Sequence, residues 1–435
     1  MQAINIGILG LGTVGGGTAQ VLRDNAEEIA RRLGREVRVF MVATRNVGKA
    51  FKVCPDALFS TDPFEVVDHP DVDVVVELYG GSDTAKELVL RAIDNGKHVV
   101  TANKKLLAEY GNEIFARAAE KNVMVHFEAA VAGGIPIIKA LREGMSANRI
   151  KSVAGIINGT SNFILTQMRE QGSTFADALK QAQELGYAEA DPTFDIEGHD
   201  AGHKITIMSA LAFGTPVNFD ACYLEGISKL DSRDIKYAEE LGYRVKLLGI
   251  TRRRENGIEL RVHPTLIPEN RLLANVNGVM NAVRVDADMV GETLYYGAGA
   301  GALPTASAVV ADIIDISRLI SADTDHRVPY LAFRADNVES QPFLSMDEVS
   351  SSYYLRVQAA DRAGVLGAIA NLLAEQGISI EALIQKAVLD NNQAEIVILT
   401  HHTLESNIKA AITAIEAQET VSAPVTMIRM EPLNG

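Results

Sequence analysis

The sequence predicts an α/β protein built from three parts: an N-terminal doubly wound parallel sheet, an α+β middle and a small C-terminal module of ferredoxin-like order. Three observations carry this reading. Over the first 130 residues, short runs of continuous apolar character alternate with helical segments, as in a parallel sheet covered on both faces. After Gly133-Gly134 that regular interleaving stops. Past an irregular stretch at 321–348, the order β-α-β-β-α-β fills the remaining chain. A length of 435 residues leaves room for two to four domains, and 47% hydrophobic with 22% charged residues is the composition of a folded chain.

In the first part, residues 1–132, strands are expected at Ile4–Leu9, Val37–Ala43, Val72–Glu77, His98–Thr101 and Val123–Phe127, with helices at Val14–Arg32, Ala85–Asn95 and Gly111–Lys121. The middle part, 133–300, opens with a helix over Ile135–Met145, with Pro136 in the first turn, where a missing amide does no harm. A strand Ile150–Ile157 runs into Asn158-Gly159-Thr160-Ser161-Asn162. Helices follow near 161–170, 174–185 and 197–213, and strands near 222–230, 245–251 and 258–265. The loop Gly297–Gly301 opens a long apolar helix, Pro304–Leu319, expected within about 301–320 as a return to the first part. Residues 321–348 hold Pro329 and Pro342 without clear periodicity and read as a linker. The last part, 349–435, supplies Tyr353–Ala359, Gly364–Glu375, Ile378–Val388, Glu395–Thr400, Leu404–Gln418 and Val425–Met430, enough for a domain that folds alone.

Charge and cysteine usage exclude several classes. Lys+Arg 41 against Asp+Glu 56 leaves a formal net charge of −15, whereas nucleic-acid binding needs a basic stripe. The tightest basic cluster, Arg252-Arg253-Arg254 ahead of Asn256-Gly257, reads as the solvated end of a hairpin. Two cysteines, Cys54 and Cys222, are too few for a disulfide framework or a structural zinc site, and fit a reducing compartment. The chain begins on a strand-like run with no basic leader, and no apolar run reaches the roughly 18 residues of a membrane span. A soluble cytoplasmic protein without nucleic-acid or membrane partners is expected.

Gly10-Leu11-Gly12-Thr13-Val14-Gly15 fits G-x-G-x-x-G directly after a strand and at the opening of a helix. Glycines there permit a tight turn, close approach of a pyrophosphate and close helix–strand packing, while the helix N-terminus faces the phosphates. A dinucleotide site is expected, with a glycine-rich turn that binds nothing as the alternative. The second strand ends Val42-Ala43-Thr44-Arg45, with no acidic residue to accept a ribose 2′-hydroxyl. Arg45 could pair with a 2′-phosphate, which favours NADP over NAD, unless it is simply a surface arginine.

Between Gly186 and Lys204 charge is concentrated just ahead of the uncharged run Ile205–Phe213. Asp200 and Lys204 are i,i+4 neighbours on one helix face. Burial lowers a lysine pKa and carboxylates raise it, and a lysine so placed can exchange a proton with a bound hydroxyl or carbonyl. The same residues also read as an ion pair at a helix start. His199 and His203 share the spacing of the H-E-x-x-H zinc motif. Asp200, though, replaces the glutamate base, Gly202 weakens the helix and no third ligand is evident. Lys104, in Val100-Thr101-Ala102-Asn103-Lys104, stands at a strand tip where ligands of doubly wound sheets bind, whereas Lys105 reads as solvated.

The stretch Ala182–Lys204, with Gly186, Asp191-Pro192, Asp195, Gly198, Asp200 and Lys204, resembles the substrate-helix signature of the homoserine dehydrogenase family. Val100–Lys104, Asn158–Asn162 and Gly297–Gly301 are similar to further family motifs, and the resemblance covers essentially the whole chain. The variety resembled is the longer bacterial kind, with a Rossmann-like NAD(P)-binding domain and a C-terminal ACT domain. The resemblance implies interconversion of L-aspartate 4-semialdehyde and L-homoserine, on the route to threonine and methionine. It implies that Lys204 gives a proton to the carbonyl oxygen as hydride arrives and that Lys104 lies beside cofactor and substrate. Glu189 would take the substrate ammonium, with Asp200 and Asp195 also at the substrate, while Gly186 would touch substrate or cofactor by its backbone. Cofactor contacts would come from Gly10, Gly12, Thr13, Val14, Gly15, Arg45, Lys104 and Gly301. Glu128, Val131, Gly133 and Ile135 match the family's monovalent-cation site, usually sodium. An ammonium and a carboxylate on the substrate suit acidic Glu189 and the lysines, and a forming alkoxide needs a cation or proton donor.

Asp361-Arg362-Ala363-Gly364-Val365-Leu366 resembles the ligand loop of ACT domains, which bind amino acids at dimer interfaces. Asp361 and Gly364 are thus candidate effector residues, L-threonine the first effector implied, and a homo-oligomer, dimer or tetramer, the expected assembly. A capped helix in a dimerisation module accounts for the same residues. A catalytically silent amino-acid sensor built from the same two domain types is the alternative function, which intact Lys104 and Lys204 argue against.

Overall fold

The computed structural model describes residues 3–323, 326–385 and 392–433, with Lys49 by its backbone alone. Positions 324 and 325 of the expected linker, and the expected strand Ile378–Val388 beyond 385, lie outside the described residues.

Strand β1 (Ile4–Leu9) is buried along its whole length, as its unbroken apolar run requires. With β2 (Val37–Ala43), β3 (Leu58–Ser60), β4 (Val74–Glu77), β5 (His98–Thr101) and β6 (Val125–His126) it forms a six-stranded parallel sheet in the order β3-β2-β1-β4-β5-β6. The order reverses between β1 and β4, and the crevice at their C-terminal ends is where such sheets take ligands. Helices α1 (Thr13–Asp24) and α2 (Ala26–Leu33) replace the single helix expected over Val14–Arg32. The break is at Asn25, whose ψ of 17° leaves the helical region. Between Ala43 and Val72 lie α3 (Val47–Val53), β3 and α4 (Pro63–Asp68), none of them anticipated, although Asp62 caps α4 ahead of Pro63 in the manner of a helix start. Helix α5 (Asp83–Asp94) precedes α6 (Lys104–Lys121), which begins well before the expected Gly111 because Asn103 caps it.

Contacts divide the chain into two compact units. The first comprises Met1–Gly159, Gly202–Cys222 and Met280–Gln341. Its core joins Ile6, Ile8, Val42, Val74 and Val76 to Val309, Ile313 and Ile316 from the helix Ala302–Leu319. A fully buried side chain of this size contributes about 1.5–3 kcal/mol. Gly17 of α1 meets the start of that helix so closely that a Cβ there would lie 2.6 Å from the Ala302 carbonyl oxygen. Strand Ile150–Ile156 pairs with Met280–Ala287, which pairs with Gly291–Ala298, a hairpin the sequence reading missed. The helix expected over Ile135–Met145 is a single α turn, Ile137–Lys139, followed by a π-helical turn, Ala140–Gly144. The expected linker is docked: Tyr330 donates to the Val123 carbonyl at 2.6 Å and stacks on Phe115, and Phe333 covers Gly214.

The second unit comprises Thr160–Ala201, Tyr223–Val279 and Pro342–Gly435. Strands Tyr243–Arg254 and Gly257–Pro268 form a long antiparallel pair. The expected strand over 222–230 is only Tyr223–Leu224, and a helix, Ser232–Glu240, follows it. The C-terminal residues form strands Ser350–Ala360, Ile380–Gln385, Gln393–Thr400 and Thr426–Met430, with helices Val365–Glu375 and Glu405–Glu416 packed on Leu355, Val357, Ile396 and Ile398. This module is not free-standing. Thr426–Met430 pairs in parallel with Gly257–Pro268, Thr265 opposite Arg429. Buried charges cross the same seam: Arg356 donates to Asp234 at 2.6 and 2.9 Å, and Arg261 to Glu431 at 3.2 Å. Replacing such a pair by apolar side chains is often neutral, whereas removing one partner leaves a costly unpaired charge. Of the cluster expected as a solvated hairpin end, Arg253 and Arg254 are exposed as expected, Arg254 with an ion pair to Glu259 at 2.6 Å, whereas Arg252 is half-buried and bound to Glu431 at 2.7 Å. Among the described residues no helix is long and apolar enough to cross a membrane.

Candidate active site

In the first unit the glycine loop has the geometry that a pyrophosphate demands. Gly10 has φ +91°, and a Cβ there would lie 2.6 Å from the Leu78 carbonyl oxygen. At Gly15 a Cβ would fall 2.1 Å from the Gly10 carbonyl oxygen, so only glycine lets α1 sit on β1. Gly12 faces open space and, having no side chain, leaves the first amides of α1, at Thr13 and Val14, uncapped. Those are the three roles of the dinucleotide loop: turn, helix packing and open approach. Arg45, just past β2, is exposed.

Beside this loop the tips of β4 and β5 are organised by a residue the sequence reading passed over. Glu77 is 0% exposed. Its Oε1 accepts from the amides of Tyr79 and Gly80 at 2.9 and 3.3 Å, and its Oε2 from the Thr101 hydroxyl at 2.7 Å. Burial, partly offset by those bonds, raises its pKa. A carboxylate ending the apolar run Val74-Val75-Val76 is the signal that could have found it. Asn103 donates to the Gly81 carbonyl at 2.7 Å and caps α6 through the Leu106 amide at 3.1 Å. Lys104 is thereby held at the first turn of α6, half-buried, while Lys105 is exposed and pairs with Glu109, as expected.

Lys204, on the helix His199–Phe213, is 8% exposed, and its Nζ donates to the Ile157 carbonyl at 2.7 Å, at the end of strand Ile150–Ile156. The glycine-rich stretch before helix Ala302–Leu319 lies against residues 132–134. The Gly134 amide donates to the Ala298 carbonyl at 3.0 Å, and a Cβ on Gly133 would lie 2.5 Å from the Gly299 oxygen. Gly301, φ +126°, starts the helix. Glu128 is buried and accepts from the amides of Ile138 and Lys139, both at 2.8 Å. Burial, with Asp312 close by, pushes it up to about 7, and burial does the same to Asp312. Ala132 and Gly133 both have positive φ, turning the loop from Val131 to Ile135.

The second unit carries Gly186, Glu189, Asp195 and Asp200, so the expected substrate residues are divided between the units, with Lys104 and Lys204 in the first. Gly186, φ +75°, and Glu189 are exposed. The Thr160 hydroxyl lies 2.7 Å from the Tyr187 carbonyl and 3.0 Å from Asp195 Oδ2, and Ser161 donates to the Asp195 carbonyl at 3.0 Å. The Asn158–Asn162 motif thus holds the Gly186–Asp195 loop. Asp200 is 4% exposed. Lys246, also missed, is buried beneath this motif and donates to Asn162 Oδ1, the Val276 carbonyl and Asn277 Oδ1 at 3.1, 2.5 and 3.1 Å, three acceptors for the three protons of an ammonium. The two histidines of the zinc-like spacing pack on rings, His199 on Phe194 and His203 on Phe219. Among the described residues no cluster of three or more His, Cys, Asp or Glu could hold a metal.

In the C-terminal module Gly364, φ +92°, is the N-cap of Val365–Glu375 and no side chain caps that helix. Asp361 is exposed and accepts from Gln385 at 3.0 Å. The capping reading of Asp361 therefore fails.

A glycine loop at a sheet's switch point, beside a lysine at the next strand tip, defines a nicotinamide-dinucleotide oxidoreductase. Three family profiles match: "Homoserine dehydrogenase, NAD binding domain" over residues 10–128, "Homoserine dehydrogenase" over 136–314 and "ACT domain" over 353–420. The chain is 74% identical over 434 residues, covering all of both chains, to the homoserine dehydrogenase of Neisseria gonorrhoeae. The crystal structure of a homoserine dehydrogenase from Thiobacillus denitrificans superposes with a TM-score of 0.95 at 62% identity, covering 100% of this chain and 99% of that one. A hyperthermophilic archaeal homoserine dehydrogenase in complex with NADPH matches with a TM-score of 0.63 at 29% identity, over 74% of this chain and 100% of that one. The chain belongs to the homoserine dehydrogenase family.

Proposed function

We propose that the chain interconverts L-aspartate 4-semialdehyde and L-homoserine with Lys204 as the proton donor to the carbonyl oxygen. The observation that carries this assignment is the buried Lys204 ammonium, aimed by the Ile157 carbonyl at 2.7 Å. A bound nicotinamide supplies or takes the hydride. Lys104 holds the substrate beside the cofactor, Asp200 orients it near Lys204, and Glu189 takes its ammonium, an exposed carboxylate suiting an incoming cation. Asp195 shapes the Gly186–Asp195 loop through Thr160. Gly10, Gly12, Thr13, Val14, Gly15 and Gly301 frame the dinucleotide, and Arg45 favours NADP through the 2′-phosphate.

A monovalent cation such as sodium suits Glu128 with the carbonyls of Val131, Gly133 and Ile135. Two buried carboxylates, Glu128 and Asp312, lie close together, and two successive left-handed residues, Ala132 and Gly133, turn the loop from Val131 to Ile135. The parts 1–132, 133–300 and 349–435 serve as cofactor, substrate and regulatory domains, the last taking an amino acid, L-threonine first, at Asp361 and Gly364 in a homo-oligomer. A cytoplasmic setting fits the two free cysteines. The test follows NADPH absorbance in the purified full chain with aspartate semialdehyde. Lys204→Ala is expected to lower kcat about 10²–10⁴-fold while keeping fold and cofactor affinity. Near-wild-type kcat would overturn the assignment.

A further inference from the structure

Within the second unit, one link between the segment that carries Gly186, Glu189 and Asp195 and the C-terminal module runs through a carboxylate, beside the Tyr223 hydroxyl that accepts from Arg429 Nη2 at 3.2 Å. Glu225 follows the short strand Tyr223–Leu224, and its amide donates to the Val262 carbonyl at 2.9 Å. Its Oε2 accepts from Arg429 Nη1 at 2.6 Å and from the Tyr223 hydroxyl at 2.8 Å. Arg429, 1% exposed on strand Thr426–Met430, also makes a bidentate pair with Glu405 at 2.7 Å on both arms.

On the other side of Glu225 the contact is backbone against backbone. A Cβ on Gly226 would lie 2.4 Å from the Ile196 carbonyl oxygen and 2.6 Å from Glu197 Cα. The Ile227 amide donates to that same Ile196 carbonyl at 2.8 Å. Ile196 follows Asp195, which meets Thr160, which meets Tyr187. A short charge-assisted bond at one end and close backbone packing at the other leave little slack to absorb a shift of strand Thr426–Met430.

We propose that Glu225 is a positioning residue through which the C-terminal module sets the place of residues 186–198, and with it the affinity for the amino-acid substrate. This rests on the reading of that segment as substrate-binding. It assigns the module a part in the reaction with no effector bound.

The test uses the full chain and two charge-removing variants. Glu225→Gln removes the charge facing Arg429 and keeps a neutral acceptor. Arg233→Gln removes a different tie to the module, the Arg233–Glu395 pair at 2.7 Å, and serves as control. Glu225→Gln is expected to raise KM for L-homoserine about 2- to 30-fold, the usual span for a coupling residue, with KM for NADP unchanged. Amide exchange over 186–198 should quicken in that variant and not in Arg233→Gln. An unchanged homoserine KM, an equal rise in the NADP KM, or the same effects from Arg233→Gln would overturn the proposal. Glu189→Ala separates the two levels. If it leaves the homoserine KM unchanged, the substrate reading of the segment fails. If it raises that KM while Glu225→Gln does not, the role of Glu225 alone fails.

Discussion

Replacing Asp234 tests whether the C-terminal module is part of the substrate-domain fold. Asp234 is 0% exposed on helix Ser232–Glu240 and accepts from Arg356 Nε and Nη2 at 2.6 and 2.9 Å and from the Tyr354 hydroxyl at 2.9 Å. After Asp234→Ala, Arg356 keeps Thr426 Oγ1 at 3.0 Å and Glu395 at 3.5 Å, and the buried Tyr354 hydroxyl loses its acceptor. Removing one member of a buried pair costs about 3–5 kcal/mol, because the other charge stays desolvated. For units of 150–250 residues that is a fall in Tm of about 6–20 °C. Differential scanning fluorimetry and urea titration of the full chain measure it. Replacing both partners in Asp234→Ala/Arg356→Met should recover most of the loss, since no unpaired charge remains. A loss below about 1 kcal/mol in the single variant, or a double variant no better than the single, would refute the reasoning.

His98 accepts the Met124 amide on Nδ1 at 2.9 Å, so protonation would set a donor against a donor. Burial, with Arg327 nearby, depresses it from 6.5 to about 4 in the fold, so its stability contribution is present above pH 6.5 and is lost as pH falls toward 4. Over that window the loss is roughly 3 kcal/mol, and His98→Asn should flatten the pH dependence of the urea midpoint; parallel profiles would exclude His98 as the cause. Arg45→Ala should raise KM for NADPH more than for NADH, and equal effects would make the arginine a plain surface residue. L-threonine should inhibit the full chain, and Asp361→Ala should weaken that inhibition within the 5- to 150-fold range of ordinary couplings; an unchanged inhibition curve would move the effector away from this loop. Truncation near residue 330 is a poor version of this test, because it strips strand Thr426–Met430 from Gly257–Pro268.

Local signals were legible where one segment carries its own reason. The run Ile4–Leu9 with the glycines behind it needs only backbone sterics, and the structure assigns Gly10, Gly12 and Gly15 separate tasks from those sterics. The ferredoxin-like order, the burial of the run Ile205–Phe213 and the solvation of Lys105 were equally visible, because continuous apolar runs and their edges are local, whereas the sequence leaves the burial of Lys204 at the run's edge open. Short elements were not. The strand Leu58–Ser60 and the hairpin Met280–Ala298 exist because neighbours already in place supply the other half of their hydrogen bonds.

By itself the sequence determined the class of the sheet, the dinucleotide loop and the family, since each is written in contiguous residues with a fixed local geometry. Tertiary structure alone decided the rest. Glu77 became an organiser of two strand tips only once β4 lay beside β5. Arg252 became a half-buried partner because Glu431 arrived beside it from the end of strand Thr426–Met430, while Arg253 and Arg254 stayed exposed at the hairpin end. The C-terminal module lost its independence because its last strand found an open edge on Gly257–Pro268. A pairing between residues far apart in the chain depends on which edges and charges the fold leaves available, and no local pattern encodes that.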